Sequence, residues 1–568
     1  MAAECRPCND LMSSYVVPTH EARTWSFAGS PEAKCIVFVV AVSLLTIVPA
    51  FVFGVPSNRD LSNHFRFALP FYDAIAAGNF YPGWLAESNH GYGDPSFRFY
   101  PPALYYLLAL FRFITGEWYV ATLLTYSVVS VAAGLGVYFW ARSALPSSQA
   151  MWASILYSVA PYHLNQLYQA TLLAEWAGAA VLPFVFAFLE RVCAHGRRRD
   201  VAGFAGCYAL LVLTHLPLTV IGSLALLVYA LVRIQAGRRV KTLVQLAGAT
   251  ALGLCASAIY WVTMISELRW IGVNSIYYDS SVDYRYNFLL STFSPDNLNV
   301  WWMNILALMT LLLGAPMILL LHRHARQIRP QLKAIAALTA FAVFMAVPLS
   351  RPVWRLLSPL QETQFPWRWL VLFSLGVAIL AAAAIPLLDQ ADNIGARARR
   401  IVIVGAMSIA VVFTVSHSVR EARFLPRYAF NQELNAVRGT ASVSSWFPVW
   451  ASATPTPMTL AVDAADRSVI VKTWTPESRQ FSIGAGNPTE ARIKTFYYPH
   501  WVATSGNQVL PTRPDKDGAL LVSLPADAVA VELVFNEPRR SRFAAVTSLA
   551  GFMFIGALTL PFQLRRKL

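Results

Sequence analysis

Charged residues are scarce in this chain: they make up 13% of its 568 residues, against about 25% in an ordinary soluble domain. Hydrophobic residues make up 56%. This balance excludes a soluble globular protein and indicates a chain that crosses a membrane many times. Cysteines are also few, and none follows Cys255, which excludes a disulfide framework in an exported domain of the second half. Cys5 and Cys8 have half the spacing of a zinc site, without a second pair to complete it.

Acidic residues are outnumbered, 30 against 45 Lys and Arg, and a net charge of +15 would suggest a nucleic-acid partner in a soluble protein. Five short segments account for this excess, because together they hold 18 basic residues and three acidic ones. They are 191–200, 233–241, 322–333, 389–400 and 563–568. Basic residues in short loops mark the cytoplasmic side of a membrane protein. The charge is therefore an orientation signal, with both termini in the cytoplasm, and no nucleic-acid partner is predicted.

Apolar segments recur along the chain, and at roughly 20 residues per crossing we expect about 11 to 13 transmembrane helices. The segment 149–160 is too short to span. An odd number of crossings is needed between the outward loop 55–100 and the basic loop 191–200, so we expect 149–160 to be re-entrant. The pair 201–215 and 217–232 is also short for two crossings, and such interrupted helices often border a site. The other segments are 33–54, 101–115, 118–141, 171–190, 242–264, 301–321, 334–349, 366–388, 401–416 and 543–562.

The segment 417–542 differs from the rest because it is polar and contains alternating apolar runs separated by Pro, Gly, Asn and Asp. Alternation with a period of two is typical of half-buried strands. We therefore predict a small extracytoplasmic β-sandwich before the last helix. The predicted domains are a cytoplasmic tail 1–32, a helical membrane domain 33–416, the β-rich domain 417–542, and a final helix with a basic tail 543–568.

The first outward loop is dense in polar and aromatic side chains. Asp60 and His64 are one helical turn apart, so they would share one face of a helix. His90 and a Gly- and Pro-rich run follow, in which rings such as Tyr92 and Tyr100 are suited to stack on a sugar or to line an acyl groove. This loop is the first candidate site.

Two further clusters are predicted near the same outer face. Glu175 is an ionisable group near the outward end of an apolar helix, and such groups are functional candidates by default. Arg368 begins a helix near the outer surface, where a fixed guanidinium is suited to hold a phosphate. Arg351 and Arg355 precede it, and Arg285 lies in another outward loop.

Each of these residues also has a structural interpretation. Asp60 could cap a helix, Glu175 could pair with an Arg of a neighbouring helix, and Arg368 could be an interfacial residue with its charge in water. His64 and His215 could be structural histidines. The residue types alone leave these alternatives open.

These clusters resemble a family of bacterial polytopic membrane proteins described as 6-pyruvoyl-tetrahydropterin synthase-related, together with the YfhO-like group, both of which look like GT-C glycosyltransferases. The matching motifs occur in family order between about residues 50 and 560. They are DLSNHFRF (60–67), GYGDPSFRFYPP (91–102), PYHLNQLYQATLLAEW (161–176), THLPL (214–218), QFPWRW (364–369) and FYYPHW (496–501). The pterin label itself has no support here, since the sequence shows no zinc-histidine set of a soluble synthase.

The resemblance implies a GT-C-like helical fold in the bacterial inner membrane and transfer of a sugar from a polyprenyl-phosphate donor to a glycan, lipid or protein acceptor. Asp60 matches the family's catalytic carboxylate, and Arg368 would neutralise the leaving phosphate. Glu175 and His64 are the other candidate catalytic residues, with Glu175 as an orienting or metal-binding group. The implied helpers of Arg368 are Arg351, Arg355 and Arg285. The residues expected to line the substrate are His90, Tyr92, Tyr100, His163, His215, Gln364 and Trp367. No cofactor is implied with certainty, and a divalent cation bound by Glu175 is left open.

Two other functions stay open beside the transferase. A transporter or lipid flippase would also be polytopic, but no inverted repeat is seen, and a large first outward loop with an outer β-domain is unusual for a carrier. A non-catalytic scaffold of an envelope-assembly complex is the third interpretation.

Overall fold

The computed structural model describes residues 30–234, 236–272, 282–292, 298–322, 329–388, 394–440, 447–452 and 455–560. The predicted cytoplasmic tail 1–32 lies almost entirely outside them, as do Cys5, Cys8 and the basic segment 563–568. The helices are α1 (Pro31–Leu45), α2 (Val48–Phe53), α3 (Leu61–Ala76), α4 (Ala103–Thr115), α5 (Trp118–Ala141), α6 (Ser147–Ser158), α7 (Pro161–Tyr168), α8 (Leu173–Ala194), α9 (Arg198–Thr214), α10 (Leu216–Arg233), α11 (Arg239–Ala256), α12 (Ala258–Glu267), α13 (Leu298–His322), α14 (Pro330–Ala346), α15 (Arg351–Leu356), α16 (Ser358–Gln361), α17 (Leu370–Ala384), α18 (Ile394–Glu421), α19 (Arg427–Val437) and α20 (Arg539–Thr559).

Long apolar helices dominate the described part of the chain. Seven helical stretches there are long and apolar enough to cross a bilayer, namely α5, α8, α10, α13, α17 with its flanking turns, α18 and α20. Two bent pairs raise the number to nine: α11 with α12, at 74°, and α14 with the helical turns that follow it, at 86°. Together with the β-sheet unit described below, these helices confirm the predicted class of a helical polytopic membrane protein with a small β-domain.

The segment 149–160 was predicted to be re-entrant, and that prediction is wrong. Arg142, just before α6, pairs with Glu32 at 3.3 Å, and Arg329 donates to the Ala144 carbonyl at 3.1 Å. We call the end of the bundle that carries these residues the basic end. At the other end of the segment, Asn58 donates to the Tyr168 carbonyl at 3.1 Å, two residues from Asp60. We call this opposite end the site end. The helices α6 and α7 therefore cross the bundle together, broken where Pro161 starts α7.

The piece that does not cross is α4. Tyr105 near its start contacts His64, and Glu117 just after its end pairs with Arg427 of α19, so both ends of α4 lie at the site end. In contrast, α9 and α10 make two crossings despite their length. The turn between them, at His215, lies at the site end, while Arg233 at the end of α10 pairs with the α8 residue Glu190 at 2.6 Å. Composition alone did not separate an apolar surface helix from a short span.

This topology predicts opposite sidedness for Ser148 and Ala77, both of which are exposed. In a cysteine-free background, Ser148→Cys should react with a membrane-impermeant maleimide only from the basic-end side of sealed vesicles. Ala77→Cys, in the loop after α3, should react only from the opposite side. Labelling of both cysteines from one side would contradict the crossing by α6 and α7 and would restore the re-entrant interpretation.

The strands form a sandwich near the C-terminal end. They are β1 (Val55–Pro56), β2 (Phe424–Leu425), β3 (Val462–Asp463), β4 (Val469–Trp474), β5 (Ser478–Ile483), β6 (Thr489–Phe496), β7 (Trp501–Ser505), β8 (Gln508–Leu510), β9 (Thr512–Pro514), β10 (Ala519–Leu524) and β11 (Val529–Phe535). One sheet has the order β3-β6-β10-β9 and the other β4-β5-β11-β7-β8, while β1 and β2 form a separate pair. Alternate residues of β11 are buried, as the sequence pattern predicts. The β-rich part begins later than residue 417, since α18 continues to Glu421 and α19 precedes the first strand of the sandwich.

A buried charge cluster joins the β-domain to the helices. Arg98 of the first outward loop makes a bidentate contact with Glu267 at the end of α12, at 2.5 and 2.7 Å. Tyr498 and His500 of the FYYPHW segment bind the same carboxylate at 2.8 and 2.9 Å. Arg98 also contacts Glu537, just before α20, at 2.5 Å. These contacts hold the late motif, and with it the β-domain, against the first outward loop. Each charge in the cluster has a partner of opposite sign.

Candidate functional site

Asp60 stands at the start of α3, at the site end. It occupies the N-cap position, yet its side chain makes no capping hydrogen bond, so the structural interpretation as a helix cap does not hold. Its backbone N–H donates to the Thr171 hydroxyl at 3.0 Å, which fixes the chain at this residue. The side chain is half-buried. Within the described ranges, no Lys, Arg or His lies within ion-pair distance of the Asp60 carboxylate.

One neighbouring amide orients this carboxylate. Asn63 Nδ2 donates to Asp60 Oδ1 at 3.2 Å, and the Asn63 oxygen in turn accepts from Arg66 Nη1 at 2.7 Å. Because Arg66 binds the oxygen, the amide nitrogen of Asn63 is turned towards Asp60. This arrangement leaves Asp60 Oδ2 available to accept a proton.

His64 lies one turn along α3 and is buried. The Leu173 N–H donates to His64 Nε2 at 3.1 Å, so that nitrogen is an acceptor and the proton sits on Nδ1. Nδ1 contacts the Tyr105 hydroxyl at 3.0 Å. With both nitrogens bound, His64 holds α3 against α4 and α8 rather than facing a substrate.

Burial lowers the pKa of His64 from its ordinary value of 6.5 to about 4, against the opposing effect of Asp60. Because the unfolded chain binds this proton more readily, the free energy of unfolding should fall as the pH drops from about 6.5 to about 4, and should level off below. The loss is on the order of 3 kcal/mol, at about 1.4 kcal/mol per pKa unit. Comparison of the pH dependence of unfolding between the wild type and His64→Gln isolates this residue. Identical profiles would contradict a buried neutral His64.

Glu175 and Arg368 form a buried ion pair. Arg368 Nε donates to Glu175 Oε2 at 2.8 Å, and their side chains are 9% and 1% exposed, respectively. Tyr162 and Gln166 donate to the other carboxylate oxygen at 2.7 and 3.0 Å. Arg368 also donates to the Thr363 carbonyl and lies over the Phe365 ring, 4.8 Å from its centroid. Both carboxylate oxygens of Glu175 are therefore occupied by protein donors, and the charge of Arg368 is balanced.

The loop before α8 is strained where it meets Asp60. Thr171 is fully buried and has φ +49°, a left-handed conformation that costs a β-branched residue about 1–3 kcal/mol. Its hydroxyl accepts from Asp60, and two residues later Leu173 donates to His64. A strained residue at this junction indicates that the position of Asp60 is determined by the surrounding fold.

Several polar atoms on α7 and just after it are buried without a hydrogen-bond partner among the described residues. They are His163 Nδ1, Asn165 Nδ2, Gln166 Oε1 and Gln169 Oε1. Buried polar groups are normally paired, often through ordered water, so these atoms mark α7 as a polar helix inside the bundle.

Most of the expected substrate-lining residues lie near Glu175 and Arg368. Tyr100 is close enough to Asp60, Glu175 and Arg368 for their charges to act on its hydroxyl group. His215 caps α10 and is within range of Arg368 and His64. His163 accepts weakly from the Trp176 indole at 3.4 Å. Gln364 and Trp367 precede Arg368 on the same segment, and Gln364 has φ +63°.

His90 and Tyr92 lie elsewhere. The Tyr92 ring stacks on Phe496 at 5.1 Å within the core of the β-domain, and its hydroxyl donates to the Thr456 carbonyl at 2.6 Å. The His90 N–H donates to the Gly439 carbonyl at 2.7 Å, just beyond α19. Both residues support the β-domain or its linker, because this part of the first outward loop folds away from Asp60.

The three remaining arginines lie on an exposed rim. Arg351 lies 5.5 Å from the Phe288 ring centroid and donates to the Arg285 carbonyl at 3.5 Å. Arg285 itself is paired with Asp283 at 2.5 Å. Arg355, one turn after Arg351, is exposed. Among the residues that the structure describes, Arg351 has no carboxylate within ion-pair distance.

No group of three His, Cys, Asp or Glu side chains suited to a metal ion occurs in the described part of the chain. Glu175, for which a role in binding a divalent cation was left open, has both oxygens engaged by protein donors. The residues present therefore do not fit a metal at Glu175.

A family model for membrane proteins with a 6-pyruvoyl-tetrahydropterin synthase related domain matches residues 97–425. The chain belongs to this family. The match confirms the resemblance drawn from the motifs, although it begins after Asp60. No curated protein matches the chain significantly.

Solved structures similar to this family member include three glycosyltransferases, all at low identity. Mycobacterial arabinofuranosyltransferase AftD has a TM-score of 0.45 at 16% identity, and the match covers 69% of this chain and 27% of AftD. The Archaeoglobus fulgidus oligosaccharyltransferase has 0.42 at 13%, with 73% and 57% covered. ArnT from Cupriavidus metallidurans has 0.40 at 14%, with 72% and 77% covered. The chain thus spans about a quarter of AftD and somewhat over half of the oligosaccharyltransferase.

Four residues of the site were missed by the sequence analysis: Asn63, Tyr105, Thr171 and Arg59. Asn63 had a usable signal, because it lies three residues after Asp60 and would share its helical face. Thr171 lies inside a quoted motif, but nothing in the sequence marks its left-handed backbone. Tyr105 and Arg59 act through residues distant in sequence, namely His64 and the α13 residue Asn299.

Proposed function

We propose that this protein transfers a sugar from a polyprenyl-phosphate donor to an acceptor hydroxyl or amide at the site end, with Asp60 as the base. One observation supports this choice above the others. Of the two carboxylates at the site, Glu175 is neutralised by Arg368, whereas Asp60 has no cationic partner among the described residues and is oriented by Asn63.

The proposed reaction is a single displacement. Asp60 Oδ2 accepts the proton of the acceptor as its nucleophilic atom attacks the anomeric carbon. The bond from that carbon to the donor phosphate oxygen breaks, and its electron pair leaves with the polyprenyl phosphate. The configuration at the anomeric carbon is inverted. No second nucleophile is needed, so Glu175 serves to position Arg368, Tyr162 and Gln166.

Charge on the leaving phosphate is assigned in this proposal to the rim. Among the described residues Arg351 has no carboxylate partner, and Arg285 and Arg355 lie close to it in the fold or along the chain. A fixed guanidinium favours the state in which phosphate charge grows. Arg368 contributes less, because Glu175 already balances its charge.

In this proposal, the positive-inside rule sets the orientation of the protein in the membrane. The basic end, with its Arg-rich loops, would face the cytoplasm of a bacterial inner membrane, and the site end with the β-domain would face outward. Donor and acceptor would then meet on the extracytoplasmic side.

The test uses the purified protein in sealed proteoliposomes, with a series of radiolabelled polyprenyl-phosphate sugars and glycan, lipid and peptide acceptors. Transfer predicts labelled acceptor together with release of polyprenyl phosphate. Movement of intact donor across the bilayer would favour a transporter, and neither outcome with any donor would favour a scaffold; either result contradicts the proposal.

A further inference from the structure

An apolar groove lies at the site end, between the outward halves of three spans. Its volume is about 370 Å³, within the roughly 300–1,000 Å³ typical of ligand pockets. Residues of α13, α14 and α17 form its walls, and Asn304 is the one polar residue among those lining it. Leu308 of α13 and Val343 of α14 are 51% and 41% exposed, so the groove is open towards the bilayer. Such a lining suits a hydrocarbon chain and not a sugar.

The loop 282–292 closes one end of this groove. The Leu289 N–H donates to the Ala346 carbonyl at 2.8 Å, and the Leu290 N–H donates to Asn304 at 2.9 Å. Leu289 and Leu290 themselves line the groove. The loop is therefore hydrogen-bonded to α14 on one side and to α13 on the other. We call the end of the groove beside this loop its mouth.

The Arg351 guanidinium lies at this mouth. Immediately after α14 the chain turns by 86° and leads into α15, which begins at Arg351. Arg351 packs on Phe288, the residue before Leu289, and the described chain gives it no carboxylate. An apolar groove with a guanidinium at its mouth is complementary to a chain with an anionic head.

The mouth also lies near the Asp60 loop. Arg59, next to Asp60, donates to Asn299 in the first turn of α13, two residues before the groove residue Trp301. A chain lying in the groove with its head at the mouth would thus present that head near the first outward loop.

We infer that this groove binds the first isoprene units of a polyprenyl phosphate, with Arg351 on the phosphate. The inference rests on the proposed function and deepens it by assigning the lipid part of the donor to named residues. The inference commits to an isoprenoid phosphate rather than a membrane phospholipid because the mouth of the groove lies near the Asp60 loop, where the proposed donor reacts.

The experiment measures binding, independently of sugar transfer. A polyprenyl phosphate with a diazirine in its second isoprene unit is photo-crosslinked to the full-length protein in nanodiscs, and labelled peptides are identified by mass spectrometry. Label is expected in 301–311 and 342–347. Leu308→Trp fills the groove and should reduce labelling at least tenfold. Leu319→Trp, further along α13 and 67% exposed, is the matched control and should leave it unchanged.

A second set of measurements tests the contact between Arg351 and the phosphate head group. Arg351→Gln should weaken competition by unlabelled polyprenyl phosphate roughly tenfold, while leaving competition by the matching prenyl alcohol unchanged. Arg539→Gln, at an exposed arginine of α20, is the control and should change neither. Competition by phosphatidylglycerol equal to that by polyprenyl phosphate would overturn the inference and leave an ordinary annular lipid site, as would label outside the groove. Asp60→Asn should still bind the probe, so loss of transfer and loss of binding are separable failures.

Discussion

Replacement of Asp60 with Asn is expected to lower the rate of sugar transfer roughly 10²–10⁴-fold, because the variant cannot accept the proton of the acceptor. Asn retains an oxygen for the Asn63 amide, and no cation in the described part of the chain loses a partner. The free energy of unfolding should therefore change by less than about 0.5 kcal/mol. Initial rates with a labelled polyprenyl-phosphate sugar, measured beside donor affinity and thermal unfolding, check all three expectations.

The matched control is Asp73→Asn, a second aspartate of α3. It pairs with Arg438 at 2.7 Å on a partly exposed surface, where such pairs contribute about 0–1 kcal/mol. Its transfer rate should stay near that of the wild type. If Asp60→Asn and Asp73→Asn had equal rates, Asp60 would not be the base.

Loss of Arg368 should have the largest effect on stability. Arg368→Met leaves Glu175 as a buried carboxylate without its cation, at an expected cost of about 3–5 kcal/mol. The double variant Glu175→Gln/Arg368→Met removes both charges and should recover most of that loss. Unfolding in mixed micelles, analysed as a double-mutant cycle, gives the coupling energy. Arg142→Met, which breaks the exposed pair with Glu32, is the control and should cost about 1 kcal/mol or less.

Transfer by the same double variant separates positioning from catalysis. If Glu175 and Arg368 only hold α8 and the segment 364–369 in place, the folded double variant should retain transfer within about tenfold of the wild type. A double variant that folds normally and loses more than about 100-fold would assign one of these two residues a direct role in the reaction.

The sequence predicted local relationships at the site well. Asp60 and His64 lie close together at the start of one helix, as their spacing predicts, and the alternating apolar segment 417–542 contains β4, β6, β10 and β11. The alternative that Glu175 pairs with an Arg was stated, but the partner is 193 residues away, and no pattern in a single sequence connects such positions. Tyr92 illustrates the same limit, because its contact with Phe496 depends on a domain about 400 residues later.

The errors in topology have one physical cause. Apolarity and length do not record direction, so α4 and the piece α6 gave similar signals, although α4 lies at one end of the bundle and α6 crosses it with α7. Pro161 follows the segment 149–160 directly and begins α7, a position at which Pro is favoured, so the crossing continues beyond the apolar piece. The crossing is revealed instead by the contact between Arg142 and Glu32, which joins the end of α5 to the first turn of α1.

The stereochemistry of transfer shows whether Asp60 acts as a base in one displacement while Glu175 is held by Arg368. A donor of known anomeric configuration is turned over by the wild-type protein, and the initial product is examined by NMR before it can equilibrate. We expect a product with inverted configuration at the anomeric carbon, as a single displacement requires. Retention would require a covalent intermediate on a second nucleophile and would contradict that mechanism.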